Sequence, residues 1–442
     1  MMSSAVVEAH GFDMTRKTIL VLAYSVSPVR GSEYSVGWNY IREMSQDHNL
    51  IVLYGLAGDH MGDVDEVDRS LICQSLPNVE WIAVRPNWIA NLLNTPNRNG
   101  VFVFSFYVAY KFWHRQVYQI AKGLVQSRTI DLIHYLCPIG YREPGYLWKI
   151  DKPYIWGPVG GIANRSVKLS REKGVVVVAK ILLRNAVNAL QFRFSPRVRS
   201  AFWRADVLLA STTGTQKLIA DVKHTESVLL AENAITDEML VHQRLITVAP
   251  DARFNIIWVG RIDEAKSLDI LLKALGTIQS APWHLSVIGD GPLKTACTEL
   301  AHTLGIGAHI TWTGKVTRQE VDQHYRGAHV HVITSLREGN PTVIWEAMSF
   351  GIPTVTLDHF GMHDTVCEKC GVKVPVDGKL QSVVDNLAQQ LICLMEHPAL
   401  IEQLSQGVLE CSRRYTWTQR RALWNDYYDA AISHWLARRR GD

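Results

Sequence analysis

Strong charge of either sign is the first thing this chain lacks. Across 442 residues, 46 lysines and arginines face 42 acids, a formal net charge of +4, too mild to imply a nucleic-acid partner by itself. Cysteine is sparse and odd in number, seven residues scattered from Cys73 to Cys411, which argues against a disulfide framework and for a reducing compartment. Cys367 and Cys370 form the only close pair. With neither a second pair nor a histidine set nearby, they read as reduced thiols in a loop rather than as a zinc or redox site. A secretion signal is missing as well: the apolar run 18–25 is short, and no small-residue cleavage site follows it. No stretch reaches the roughly 18–20 uncharged apolar residues that a spanning helix needs. These absences predict a cytoplasmic protein, with room for peripheral contact at the inner face of the plasma membrane. Residues 1–13 show no periodicity and are expected to be disordered.

What is present is a hydrophobic fraction of 47% against 20% charge, the balance of a globular enzyme, over a length that calls for more than one core. Short apolar runs alternate with helical patterns, which predicts parallel sheets wound with helices. Strands are expected at 18–24, 50–54, 80–84, 132–135, 153–156, 207–210 and 227–230, then at 255–259, 284–288, 309–312, 330–334 and 353–357. The expected fold class is α/β, with two doubly wound Rossmann-like domains, 14–235 and 236–415, facing each other across a cleft. A terminal helical segment, 416–442, is expected to cross back onto the first domain.

Glu338 and Glu346 flank a strand-to-helix junction. Gly339 loosens the turn, Pro341 is preorganised for a first helical turn, and Gly351 with Pro353 stops the helix. The free N–H groups of Thr342 and Val343 then lie between the two carboxylates, where unpaired amides and the helix dipole favour a diphosphate. Carboxylates cannot hold a phosphate, but they accept hydrogen bonds from the ribose diol and the hexose hydroxyls on either side of it. An arbitrary glutamate pair would more often be a loop solvator and a surface helix residue, so the neighbouring features decide.

Gly260 and Arg261 end an expected strand, and Lys266 stands at the next helix start. Arginine grips two phosphate oxygens with its planar fork, and lysine adds a compact charge that offsets a leaving diphosphate. Alone, these cations would read as a solvated turn. Glycine or polar turns recur, however, after five successive expected strands, at Gly260, Gly289, Gly314, 336–342 and 358–364, which points to a binding face. In the first half, Gly31 lets the backbone approach a ligand and Ser32 can cap the following helix. His134 near a strand end is expected to face the same cleft, although a single histidine is more often structural. Gly140, Arg142, Gly160 and Gly161 lie in loops that can sit close to substrate.

This set resembles the family 4 glycosyltransferases of GT-B architecture, from Ser25 to about Arg420, most specifically in Glu338 and Glu346 together with Gly260, Arg261 and Lys266. Segments 31–38, 134–144 and 156–161 resemble the branch that builds bacterial exopolysaccharide and other cell-surface polysaccharides. The resemblance implies retaining transfer of a hexose from a UDP- or GDP-sugar to a glycan or polyprenyl-linked acceptor, with no cofactor and no metal. It implies Arg261, Lys266, Thr342, Val343 and Gly31 at the donor diphosphate, Glu346 at the ribose, and Glu338 with His134 as catalytic groups. Gly260, Asn340, Ser32, Gly140, Arg142, Gly160 and Gly161 would contact sugar or acceptor. The chain departs from the pattern at Asn340-Pro341-Thr342, where many members carry Phe-Gly-Leu, and at Ala231-Glu-Asn-Ala-Ile235, where many carry Pro-Asn-Gly. The first departure leaves the amide cradle intact and bears on the donor sugar.

Arg165, Lys168, Arg171, Lys173, Lys180, Arg184, Arg193, Arg197, Arg199 and Arg204 stand against one acid, Glu172, with apolar and aromatic residues interleaved. A basic amphipathic stretch suits an anionic leaflet. A second apolar-aromatic region covers 88–93 and 101–113. Either both regions are helices covering the sheet, or the first domain rests on a membrane. Competing functions are a GT-B sugar-nucleotide epimerase, a phosphorylase, which would carry a pyridoxal lysine and a much longer chain, and a non-catalytic glycan-binding or scaffolding subunit. Nucleic-acid binding explains none of the cleft residues.

Overall fold

The computed structural model describes residues 16–28, 33–55, 76–102, 104–164, 166–167, 169, 174–249, 252–376 and 379–441. Residues 1–13, Gly31, Ser32, Cys73, Arg165, Lys168, Arg171, Glu172 and Lys173 therefore lie outside the described residues.

Among the described residues, thirteen strands build two sheets. The first contains β1 (Thr18–Ala23), β2 (Asn49–Tyr54), β3 (Val79–Ala83), β4 (Leu132–Cys137), β5 (Tyr154–Val159), β6 (Val207–Ala210) and β7 (Val228–Leu229) in the order β3-β2-β1-β4-β5-β6-β7. The second contains β8 (Phe254–Val259), β9 (Trp283–Ile288), β10 (Ile310–Gly314), β11 (Val330–Ile333), β12 (Thr354–Leu357) and β13 (Gly371–Val374) in the order β10-β9-β8-β11-β12-β13. All pairings within the two sheets are parallel. β13 is absent from the sequence expectation: its four residues begin with glycine and include a lysine, too short a run for any periodicity. Strand order reverses between β1 and β4 and again between β8 and β11, and a crevice for ligand opens beyond the carboxyl ends at such a switch point.

The first sheet is covered on both faces, which is why β1, β2 and β4 read as continuous apolar runs rather than alternating ones. One face packs Leu20, Leu22, Ile133 and Tyr135 against the helix Ser105–Ser127. The other packs Ile19, Val21, Leu132 and Leu136 against the helix Glu33–Met44 and the C-terminal helix Trp417–Arg440. The C-terminal helix buries Trp424 and Tyr428, and the Tyr40 ring lies 5.2 Å from Trp424. Lys17 pairs with Asp429 at 2.9 Å, and the Ile235 N–H donates to Tyr415 O at 2.9 Å. The chain leaving the first domain is thus clasped by the segment that returns to it.

The helix Val175–Phe194 is held along one line by buried Ile181, Asn188 and Phe192, while Val175, Leu183, Leu190 and Phe194 are exposed. Against the sequence count, it is long and apolar enough to cross a membrane by length and composition, because Lys180, Arg184 and Arg193 interrupt the apolar run without ending the helix. A cavity of about 550 Å³ lies between this helix and Phe104 and Tyr107 of the second apolar region, so the two regions meet. Two of the basic residues are structural: Arg197 pairs with Glu143, and Arg204 with Asp151 at 3.3 Å.

Trp424→Ala removes the indole that fills the space between the C-terminal helix and the first sheet. Loss of such a buried aromatic costs about 3–5 kcal/mol. Urea unfolding of the full chain should show a loss of that order, and a change within about 1 kcal/mol would mean that the helix is no part of this core.

Candidate active site

The loop carrying Glu338 is fixed from three sides. Leu336 N–H donates to Ala265 O at 2.7 Å, Gly361 N–H to Glu338 O at 3.0 Å, and His359 Nε2 to Ser335 O at 2.9 Å. Any side chain at Gly361 would collide with the Gly339 carbonyl, 1.5 Å from the position of its Cβ. The helix Thr342–Ser349 follows, with extended Pro341 as its N-cap. Amides of a first turn have no partner within their own helix, so those of Thr342 and Val343 are available at this end. The Trp345 indole donates to Asn340 Oδ1 across the first turn.

One cavity is lined by this loop, and a second lies at other strand ends of the same sheet. The first, about 470 Å³, lies between the domains and is lined by Glu33, Gly140, Gly160, Gly161, Ser211, Thr212, Glu232, Arg337, Glu338, Gly339, Asn340 and Thr342 among others. The second, about 760 Å³, lies at the carboxyl ends of the second sheet, lined by Gly260, Arg261, Gly289, Asp290, Gly291, Gly314 and Lys315 among others. Lys266 joins them: its stem lies 3.7 Å from the position a Cβ on Gly260 would take, and its ammonium pairs with Glu338. Arg261 is exposed, with only a long contact of 3.7 Å to Asp263. Arg337 reaches across the cleft to Gly161 O at 3.3 Å.

The structure thus brings Glu338, Asn340, Thr342, Gly140, Gly160 and Gly161 to the wall of one cavity and Gly260 and Arg261 to the wall of the other, with Lys266 in contact with Gly260 and Glu338. Gly140 and Gly160 form a parallel bridge beyond β4 and β5. A Cβ on Gly160 would come within 2.7 Å of Ser211 Oγ. That hydroxyl is buried at the cavity wall without a hydrogen-bond partner among the described residues, an orphaned group suited to a ligand. The Val343 side chain packs into an apolar cluster with Ile344 and Trp345, which leaves its backbone N–H as the group it can offer. Glu346 takes a different position. Its carboxylate accepts from Arg318 Nη1 at 2.5 Å and from Tyr325 O–H at 3.2 Å, two partners that the sequence reading did not include.

His134 and Arg142 are corrections. His134 is fully buried; the Gly157 carbonyl can only accept, so Nε2–H donates to it at 3.0 Å and Nδ1 accepts from Tyr40 O–H at 2.7 Å. Burial pushes its pKa down to about 4, opposed by the bond to Gly157. Its ring lies 4.8 Å from Trp424, under the C-terminal helix rather than in the cleft. The reason is strand parity: His134 alternates with Leu132 and Leu136, which face that helix. Arg142 turns away to Asn188 Oδ1 at 2.8 Å and lines the apolar cavity beside the helix Val175–Phe194.

Glu33 and Glu232 are the acids that sequence reasoning missed. Burial raises the Glu33 pKa. Burial, with Glu33 and Glu338 close by, pushes Glu232 up to about 8, against the opposing charge of Arg420. The available signal was the segment Ala231–Ile235 itself, where an acid stands in a stretch that departs from the common pattern.

Residues 243–406 match the model of the family described as glycosyl transferases group 1. The sulfoquinovosyl transferase SQD2 of Arabidopsis thaliana is 28% identical over 244 residues, 54% of this chain and 45% of that one. A GDP-mannose-dependent alpha-(1-6)-phosphatidylinositol monomannoside mannosyltransferase of Mycobacterium tuberculosis is 30% identical over 151 residues, 32% of this chain and 39% of that one. The chain therefore spans under half the length of these relatives. The Anabaena protein HepE, solved in complex with UDP and glucose, superposes with a TM-score of 0.57 at 16% identity, over 94% of this chain and 100% of that one. The fold is GT-B, and the family match with its named relatives supports a transferase enzyme.

Between about pH 4.5, the ordinary value for Glu232, and about pH 8, its folded value, the folded chain keeps a proton that the unfolded chain has released. This group's contribution to stability therefore falls as pH rises through that window. Melting curves should show wild type losing stability relative to Glu232→Gln from pH 5 to 8.5. A difference that stays flat with pH would show that Glu232 is not shifted.

Proposed function

We propose that this chain is a retaining glycosyltransferase that moves a hexose from a UDP- or GDP-sugar to a glycan or lipid-linked glycan acceptor in cell-surface polysaccharide synthesis. The observation that carries the reading is Lys266, whose stem lies on Gly260 in one cavity and whose ammonium pairs with Glu338 in the other. In this proposal the nucleoside occupies the second-domain cavity and the hexose the interdomain cavity, with the diphosphate running between them past the lysine and the tip of the helix Thr342–Ser349. The GDP-mannose dependence of the mycobacterial relative and the UDP and glucose bound by HepE support a nucleotide-sugar donor.

In this reading the sugar–oxygen bond breaks while negative charge grows on the departing phosphate. Arg261, Lys266 and the Thr342 and Val343 amides stabilise that charge, so no metal is required. Displaced from Lys266, Glu338 accepts hydrogen bonds from sugar hydroxyls, and Glu346, while keeping Arg318 and Tyr325 as donors, accepts from the ribose through its remaining lone pairs. Both carboxylates are then occupied, so neither serves as a covalent nucleophile; a trapped glycosyl-enzyme on either would refute this.

We also propose that the first domain rests on an anionic leaflet at the cytoplasmic face of the plasma membrane and receives a lipid-linked acceptor there. Support comes from the exposed apolar side chains of the helix Val175–Phe194, from exposed Phe104 and Tyr107 across the cavity beside it, from exposed Trp88 and Phe102 of the same apolar-aromatic region, and from Lys180, Arg184 and Arg193 along the same helix. The phosphatidylinositol-linked acceptor in the mycobacterial relative's name agrees with such a location.

Two measurements check these readings. A hydrogen bond to a charged group is worth about 1.5–3 kcal/mol, so Glu346→Ala should lower kcat/KM roughly ten- to a hundred-fold on whichever UDP-, GDP- or ADP-sugar a hydrolysis screen identifies. Wild-type activity would remove Glu346 from the site. In co-sedimentation, the chain should bind anionic vesicles, release as salt is raised, and bind less when Leu183→Glu and Leu190→Glu are combined. Absence of binding at low salt would contradict the membrane reading.

A further inference from the structure

Three thiols from distant parts of the chain converge behind the helix Thr342–Ser349. Cys367 and Cys370 lie in the turn before β13, and Cys411 lies near the end of the helix Pro398–Ser412. Cys367 Sγ is 3.2 Å from Cys370 Sγ and 3.4 Å from Cys411 Sγ, and all three sulfurs lie within 4.8 Å of one another. Burial raises the Cys370 pKa, and the Cys367 backbone N–H, which points at Cys370 Sγ at 3.2 Å, opposes that rise. Cys370 and Cys411 are buried, whereas Cys367 is partly open to solvent. Burial pushes the Cys411 thiol up to about 11, with the positive charge of Arg414 acting in the opposite direction.

We propose that Cys367, Cys370 and Cys411 form a binding site for a soft d10 cation such as Zn²⁺, with three thiolate ligands from the chain and the fourth position filled from solvent beside Cys367. Sulfurs bound at about 2.3 Å in tetrahedral geometry stand about 3.8 Å apart, so the observed cluster accommodates a cation after opening by a few tenths of an ångström. A disulfide would instead need a closure of about 1 Å to a bond of about 2.0 Å, and an oxidant as well. Cation binding releases the thiol protons to solvent. Three thiolates around a divalent cation leave a single negative charge.

The site clamps structure rather than joining the chemistry. Cys370 and Cys411 share an apolar cluster with Ile344, Trp345 and Met348. The Tyr415 ring lies 5.2 Å from Trp345, whose indole holds Asn340 at the helix start. A bound cation ties the helix Pro398–Ser412 to the turn before β13 and so stiffens the support of the glutamate helix. It adds a function to the group 1 domain and does not depend on the donor or acceptor proposed above.

The test is titration of the full chain, purified under a non-thiol reductant, with Co²⁺ and then Zn²⁺. One equivalent of Co²⁺ should give a thiolate-to-cobalt charge-transfer band with tetrahedral ligand-field bands, Zn²⁺ should abolish them, and Zn²⁺ should raise Tm. Cys411→Ser should lose the band and weaken binding by more than the roughly 10- to 100-fold that loss of an outer-shell partner costs, while Cys393→Ser should bind as wild type. Zn²⁺ should also protect Cys367 of the wild-type chain from alkylation, a readout that needs no folded variant. Absence of a sulfur-to-cobalt band at stoichiometric metal, unchanged binding in Cys411→Ser, or a Cys367–Cys370 disulfide in the reduced preparation would overturn the proposal.

Discussion

The ion pair between Lys266 and Glu338 closes the seam between the two cavities. Both side chains retain some exposure, 24% and 19%, and a pair of that kind adds only about 0–1 kcal/mol to stability. Its importance is positional. In the proposed function the lysine stands on the path of the diphosphate, and the glutamate at the wall of the interdomain cavity. A diphosphate there would carry more negative charge than the carboxylate it displaces, capturing the lysine and releasing the glutamate toward the sugar. That exchange of partners would couple anion binding in the second domain to hydroxyl binding between the domains.

Close backbone approaches hold this seam in register. A Cβ on Gly289 would fall 1.9 Å from Gly260 O, and one on Gly291 2.3 Å from Ile262 O. Gly361 presses on Gly339 in the same way, so the turns after β8, β9, β11 and β12 are packed backbone to backbone around the site. The first domain closes the cleft through Arg337 on Gly161 and through Thr213, whose N–H and hydroxyl donate to Asp364 at 2.9 and 2.6 Å. The C-terminal helix secures the return path by burying Trp424 and Tyr428 against the first sheet.

The sequence made most of this fold legible because parallel strands buried on both faces leave continuous apolar runs, and glycine turns mark their carboxyl ends. Glu338, Lys266 and Gly260 could be grouped because they stand at successive ends of one sheet. His134 was misread for a reason that was available: in a strand, parity decides the face, and Leu132 and Leu136 place His134 under the terminal helix. Arg318 and Tyr325 could not be tied to Glu346 without the pairing that puts their helix beside it. Cys411 lies too far along the chain from Cys367 for spacing to join them, and only the packing of the helix Pro398–Ser412 brings the three thiols together. Glu232 was visible as a departure from a common pattern, but its raised pKa depends on burial first and then on Glu33 and Glu338, all of which the fold imposes.

The central claim is that a nucleoside diphosphate bridges the two cavities at Lys266. Calorimetric titration of wild type and Lys266→Met with UDP and GDP, and with uridine and guanosine as controls, tests it most directly. The account predicts that at least one diphosphate binds wild type and that the substitution weakens it roughly ten- to a hundred-fold, the worth of one charge-assisted hydrogen bond, with nucleoside affinity unchanged. Equal diphosphate affinity in the two proteins would contradict it.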